Sequence, residues 1–149
     1  MTDTNTFDWN THLRACMNST EYCCIATVDE KGVWSNPVFF AWDEHWNLYF
    51  ISQMPSRHMQ NLRKNARIAV SIYSTTQTDD VCGIQLEGTA TIIENEGEKE
   101  NAFAIYNKRS KIQSHSPAWH IVKITSEHLY YFDTKVFGEE RKEVPMDKR

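Results

Sequence analysis

Ser52, Ser56, Arg57 and His58 fall close together in the stretch Leu48-Tyr-Phe-Ile-Ser-Gln-Met-Pro-Ser-Arg-His-Met-Gln-Asn-Leu62. The apolar run 48–51 predicts a strand, and Met59, Leu62 and Ala66 give the residues after Ser56 one buried helical edge. Serine is a favoured N-cap, so a helix opening at Ser56 puts Arg57 and His58 in its first turn. A helix carries the positive end of its dipole there, and Asp or Glu is the usual occupant. Free backbone N–H groups, a guanidinium and an imidazole gathered at one point make a pocket for an anion, most naturally a phosphate.

The surrounding charge agrees. The chain has 20 Asp and Glu residues, yet none lies between Glu44 and Asp79, a window that holds Arg57, Arg63, Lys64 and Arg67. One segment is thus kept electropositive in a chain of formal net charge -4. A solvated basic helix face accounts for the charge equally well, and it is the basic first turn that favours the anion.

Length and composition bound the rest. A chain of 149 residues predicts a single domain, 1–149, able to bury a core. Aromatics make up 12% of it, enough to favour half-buried strands and to stack on planar ligands. Mean hydropathy is -0.60, and no apolar run approaches the roughly 20 residues of a membrane helix. The first residues lack the basic and apolar parts of a secretory signal, so a cytoplasmic protein without a membrane role is expected. Cys16, Cys23, Cys24 and Cys82 form no C-x-x-C pair and read as reduced small hydrophobes. The scattered histidines show no metal-ligand spacing, so no metal is expected. Small barrels with a basic stripe can bind single-stranded nucleic acid, but a sequence pI near 5.8 argues against it.

The elements that must position Arg57 and His58 follow in order. An N-terminal helix within 1–20, capped by Thr6 or Asp8, precedes a strand over 22–28 that reads as buried on both faces. A turn at 29–32 leads to a returning strand over 33–42, interrupted by Pro37, which belongs at an edge, bulge or bend. With the strand over 48–52 these suggest a three-stranded meander. Alternation predicts a strand over 67–73, then a polar loop over 74–80, then a strand over 83–93 with Gly88 at a bulge or close approach. A helix ends near Lys108 and Arg109, 110–117 is a loop, and 119–124 with 129–132 makes a last hairpin. Residues 134–149 read as a loosely held tail, charged from Phe137 onward. Strands predominate, with peripheral helices, and the fold class expected is mainly β: a barrel that hides its sheet edges.

Five short motifs in this order carry a resemblance: Tyr22-Cys-Cys-Ile-Ala-Thr-Val28, Trp34-Ser-Asn-Pro-Val-Phe-Phe40, Tyr49-Phe-Ile-Ser52, Ser56-Arg-His58 with Asn61-Leu62 and Asn65-Ala-Arg67, and Gly83-Ile-Gln-Leu-Glu-Gly88. Together they resemble the FMN-binding split-barrel family related to pyridoxamine 5'-phosphate oxidase, over about residues 22–124. The resemblance implies a six- to seven-stranded antiparallel split barrel, Greek-key-like, that binds FMN in a groove shared by the two subunits of a homodimer. Arg57 and His58 match the positions that hold the FMN phosphate, with Ser56 alongside. Ile51 and Ser52 match the strand end beside the ring system, and Ser35, Asn36 and Pro37 match the segment whose backbone lies along the flavin edge. Gln85 sits on a strand that commonly contributes a polar group, and Trp119 matches an aromatic supplied by the partner subunit. Read alone, Gln85 is an outward strand residue and Trp119 a packing residue.

Two departures stand out. The second phosphate position is frequently Lys in that family and is His58 here, and no C-terminal basic cluster is present to grip a phosphate-bearing vitamin substrate. The expectation is a flavin-dependent oxidoreductase acting on a small molecule with an electron donor, its proton donor unassigned. The alternative is a flavin carrier or sensor without turnover.

Overall fold

The computed structural model describes residues 2–74 and 80–149. Residues 75–79, most of the polar loop expected from the sequence, lie outside the described residues. The strands are β1 (Tyr22–Asp29), β2 (Gly32–Phe39), β3 (Ala41–Trp42), β4 (Leu48–Gln53), β5 (Arg67–Ser74), β6 (Cys82–Ile92), β7 (Trp119–Asp133) and β8 (Arg141–Glu143). The helices are α1 (Trp9–Asn18), α2 (Arg57–Lys64), α3 (Glu96–Ser110) and the single turn α4 (Thr134–Phe137). One antiparallel sheet runs in the order β2-β1-β5-β6-β7-β4-β3, with β8 beside β7. The result is a mainly β, curled half-barrel with peripheral helices, the split-barrel class that the sequence predicts.

Period-2 patterning explains the layers. Ile68, Val70 and Ile72 of β5 and Ile84 and Leu86 of β6 point into the main core, where Leu13 and Met17 of α1 close one end. Asp8 starts α1 by accepting from the Thr11 amide at 3.1 Å. A second apolar layer, Tyr49, Ile93, Ala102, Tyr106 and Ile121, lies under α3. This layer buries both faces of β4: Leu48 and Phe50 face the main core, while Tyr49 packs beneath α3.

Several expectations are corrected. β1 alternates in burial and is not buried on both faces, because β2 beyond it is an edge strand with little above it. The strand expected over 33–42 breaks at Phe40: its first part, β2, pairs with β1, while Ala41 and Trp42, as β3, pair with β4. The three expected strands are therefore joined in sequence but across a break, and β4 takes β7 as its other neighbour. Pro37 does not interrupt β2; it sits within that strand opposite Cys24, and β2 is an edge strand, one of the places expected for it. The expected last hairpin is one 15-residue strand, β7. Residues 125–128 look like a turn because they are polar, but they form an exposed bulge. Glu87 pairs with His128 and Gly88 with Ser126, leaving Glu127 as the extra residue. Glu127 then reaches Arg67 at 2.5 Å and Thr89 at 3.0 Å. Gly88 is required there, since a Cβ would collide with the Thr125 carbonyl. The stretch 134–149, expected as a loose tail, contributes α4, β8 and a 3-10 turn; Val144 is fully buried, and Arg149 donates to the carbonyls of Glu127 (2.8 Å) and Val144 (3.0 Å).

Candidate functional site

β4 ends where α2 begins, so the polar residues of 52–58 come together in space. Ser56 takes the N-cap position with extended backbone, but its hydroxyl donates to the Gln53 carbonyl at 2.8 Å and caps nothing in the first turn. That turn carries no acidic residue, which leaves its amide N–H groups without a capping side chain. Ser52 Oγ lies 2.7 Å from His58 Nε2 and 3.2 Å from Ser56 Oγ, and the Ser56 hydroxyl is 3.3 Å from the same ring nitrogen. His58 is only 8% exposed. Burial holds its imidazole below the usual histidine range, so the ring is neutral near pH 7.

Arg57 is engaged differently. Its Nη2 is 3.3 Å from Asp29 Oδ1, and its guanidinium lies 4.7 Å from the centre of the Trp34 ring. Partial desolvation raises the Asp29 carboxyl, but hydrogen bonds from the Lys31 amide and from Arg57 outweigh it and leave the group below the usual carboxylate range. Asn61, taken with its amide oxygen toward Thr27, accepts from that hydroxyl at 3.0 Å and donates to Asp29 Oδ2 at 3.1 Å. The Arg57 Nε is buried and has no partner among the described residues.

Beside the His58 cluster lies a cavity of about 630 Å³, within the roughly 300–1,000 Å³ of small-molecule sites. Of the residues singled out in the sequence, Asn36, Pro37, Ile51, Ser52, His58 and Trp119 line it. Ser35 is next to this lining on β2 and exposed, and Ser56 and Arg57 flank it at the start of α2. Gln85 lies apart, half-buried in the middle of β6 between Ser71 of β5 and Tyr130 of β7. β2 has a strand neighbour on one side only, so backbone groups along its other edge are free of ladder bonds near Asn36. Asn36 Oδ1 is buried without a donor among the described residues.

The far wall was not legible in the sequence. Tyr22, Phe39, Tyr106, Ile112 and His115 form much of it, with serines of the loop after α3. His115 Nε2 is 2.6 Å from Asn107 Oδ1, its ring stacks on Phe103 at 5.0 Å, and burial holds its imidazole below the usual range. The available signal was Ile112 and His115 standing in an otherwise polar loop after a helix with aromatic residues on its edge.

These groups suit a phosphorylated planar ligand. The first turn of α2 offers N–H donors, the Arg57 guanidinium lies beside it, Asn36 on the cavity wall carries an acceptor without a partner, and aromatic rings face the cavity. The sequence profile of the pyridoxamine 5'-phosphate oxidase family matches residues 10–133. A UPF0306 protein of Campylobacter jejuni is 30% identical over 110 residues, covering 70% of this chain and 79% of the relative. Among solved structures, a conserved hypothetical protein from Mycobacterium tuberculosis superposes with a TM-score of 0.74 at 15% identity, covering 97% of both chains. HutZ, the heme storage protein from Vibrio cholerae, superposes with a TM-score of 0.66 at 15% identity, over 83% of this chain and 94% of that one. At such identities the structural likeness is one of fold, whereas the profile spans most of the sequence, and on that ground the chain belongs to the pyridoxamine 5'-phosphate oxidase family.

Proposed function

We propose that the chain binds FMN in the cavity between β2, the end of β4 and the segment after α3, and that it acts as an oxidoreductase on a small molecule. The observation that carries this reading is the meeting of Asn36, Pro37, Ser52, His58 and Trp119, from separate parts of the chain, around one cavity beside an uncapped basic helix start. Bound FMN would supply hydride or electron transfer. The residues supply position: the start of α2, Arg57, Ser56 and His58 hold the phosphate, and Asn36 and the free edge of β2 meet the polar rim of the ring.

The active form in this reading is a homodimer whose groove completes the cavity. Val33 is 76% exposed and Tyr22 57%, and both border an edge strand with unpaired backbone groups. An apolar, unpaired edge of this kind is covered in most native proteins, and a second copy would do so here.

The absorption spectrum of the purified protein, before and after FMN titration, tests this reading. Flavin bands bleached by NADH or NADPH and restored by an acceptor support the oxidoreductase. Flavin bound but reduced by neither donor supports a carrier or sensor. A haem spectrum with no flavin uptake overturns the FMN reading.

A further inference from the structure

α3 divides its side chains between two cavities. Ile105, Lys108 and Arg109 line one of about 510 Å³, against α1 and β3. Tyr106 and Ser110 line the other, the cavity beside His58, and Phe103 and Asn107 hold His115 on its wall. The sorting follows helical spacing, with 105, 108 and 109 on one face and 103, 106, 107 and 110 on another. The two cations near the end of α3 are thereby kept out of the cavity beside His58. Among the described residues, no Asp, Glu, Lys or Arg belongs to its lining.

His115 is fixed from three sides by α3. Its Nε2–H donates to Asn107 Oδ1 at 2.6 Å, its ring stacks on Phe103 with centres 5.0 Å apart, and Tyr106 meets it edge-on at 5.8 Å. An amide oxygen only accepts, so the ring proton is on Nε2. Burial holds the imidazole below its usual range, which keeps the ring neutral near pH 7 and leaves Nδ1 as a bare acceptor. Nδ1 has no partner among the described residues.

We propose that this wall receives an uncharged aromatic molecule bearing a hydroxyl, a phenol or hydroquinone, whose O–H donates to His115 Nδ1 while its ring packs on Tyr106 and Ile112. Naming that molecule as the second reactant of the flavin rests on the FMN reading; its binding does not. Three features select the chemistry. A charge brought into a cavity without a counter-charge loses its hydration for nothing, so a carboxylate or phosphate on this ligand is disfavoured. Tyr22, Phe39, Tyr106 and Trp119 offer ring surfaces to a planar molecule. A fixed, unmatched acceptor favours a ligand that donates over one of the same shape that does not.

Calorimetric titration of the full chain, free of flavin, with p-cresol, its methyl ether 4-methylanisole and p-toluate tests the wall. p-Cresol should bind about three- to tenfold more tightly than the ether, which has no proton to donate, and p-toluate more weakly than either. Nitrogen NMR of the His115 ring should show Nδ1 shifting with p-cresol and not with the ether. His115→Phe, which keeps a ring against Phe103, should bring the cresol-to-ether ratio to about one. Equal affinity for p-cresol and the ether in the unmutated chain overturns the proposal without recourse to a variant, as does tightest binding of p-toluate or a ratio that survives His115→Phe. FMN is titrated separately: no flavin uptake with the ratio intact supports the wall and overturns only the flavin reading, while flavin uptake with no ratio does the reverse.

Discussion

The Arg57 guanidinium and the Asp29 carboxylate meet at 3.3 Å across 28 residues of sequence, so the strongest phosphate donor at the start of α2 already has an acidic partner. A phosphate arriving there must share or displace that carboxylate. Side-chain exposures of 35% and 19% keep the pair in contact with solvent, which screens it and keeps it weak. A phosphate with charged hydrogen bonds competes well against it. Arg57→Ala should lower FMN affinity by roughly 1.5–3 kcal/mol, the scale of a hydrogen bond to a charged group. Asp29→Asn removes the competitor and should tighten FMN binding by up to about fivefold. Both are read as dissociation constants from flavin fluorescence, and weaker binding in Asp29→Asn would make that carboxylate a support for Arg57 instead of a rival.

The His58 site should give FMN binding an unusual pH profile. In the free chain burial holds the imidazole below its ordinary value of about 6.5, so it is neutral at pH 7, and a phosphate 's charge would raise it on binding. A group whose pKa rises on binding favours the complex most at low pH, and that advantage fades as pH climbs from the free value to the bound one. The phosphate works the other way, because its second ionisation near about pH 6 strengthens binding as pH rises. The unmutated protein should therefore show a maximum in affinity, while His58→Gln should show only the rise. Superimposable profiles for the two proteins would remove His58 from the phosphate site.

What the sequence made legible was local. Alternation in β5, the Asp8 cap, the turn to β2 and the basic first turn of α2 are all patterns within a few residues, and each appears where expected. What escaped was made by distant neighbours. Asp29 could not be paired with Arg57 from a window that contained no acid. Residues 125–128 carry the polarity of a turn because they bulge into solvent opposite Gly88, and nothing in their own types separates the two cases. Val144 and Met146 are the two apolar side chains near the end of a charged run, and only β8 pairing with β7 shows why the first is buried and the second exposed. The cavity wall from Tyr106 to His115 is likewise assembled by packing against β2.

Arg109 lies in the last turn of α3, where the sequence placed the helix end, but its side chain does more than suit a helix C-terminus. Its guanidinium reaches beyond α3 and donates to the carbonyls of Phe40, Met17 (2.9 Å) and Thr20 (2.5 Å), tying the end of α1 to the strand break after β2. It also lies 4.5 Å from the Phe40 ring centre and 4.7 Å from that of Trp42. A lysine cannot reproduce a planar fork that serves three carbonyls. Arg109→Lys should cost about 2–4 kcal/mol in urea unfolding, from lost hydrogen bonds and buried carbonyls left unmatched. A loss below about 0.5 kcal/mol, the range of an ordinary surface change, would show that the tie carries no stability.

The β2 edge connects association to cofactor binding. Val33 exposes 76% of its surface, and Trp34 at 39% stacks its ring against the Arg57 guanidinium. If a second copy covers this edge, the same contact orders the segment containing Asn36 and Pro37, which lines the cavity. A carboxylate at position 33 would then be carried into the interface without a partner, and Val33→Glu should shift the protein toward monomer in sedimentation at micromolar concentration. Val33 lies opposite Val28 at the far end of β2 from Pro37, and it does not line the cavity, so the substitution leaves the binding residues intact. FMN affinity should nonetheless fall in parallel with dimer content. A monomeric variant that binds FMN as tightly as the unmutated chain would separate the groove from the subunit contact and leave the cavity a site within one chain.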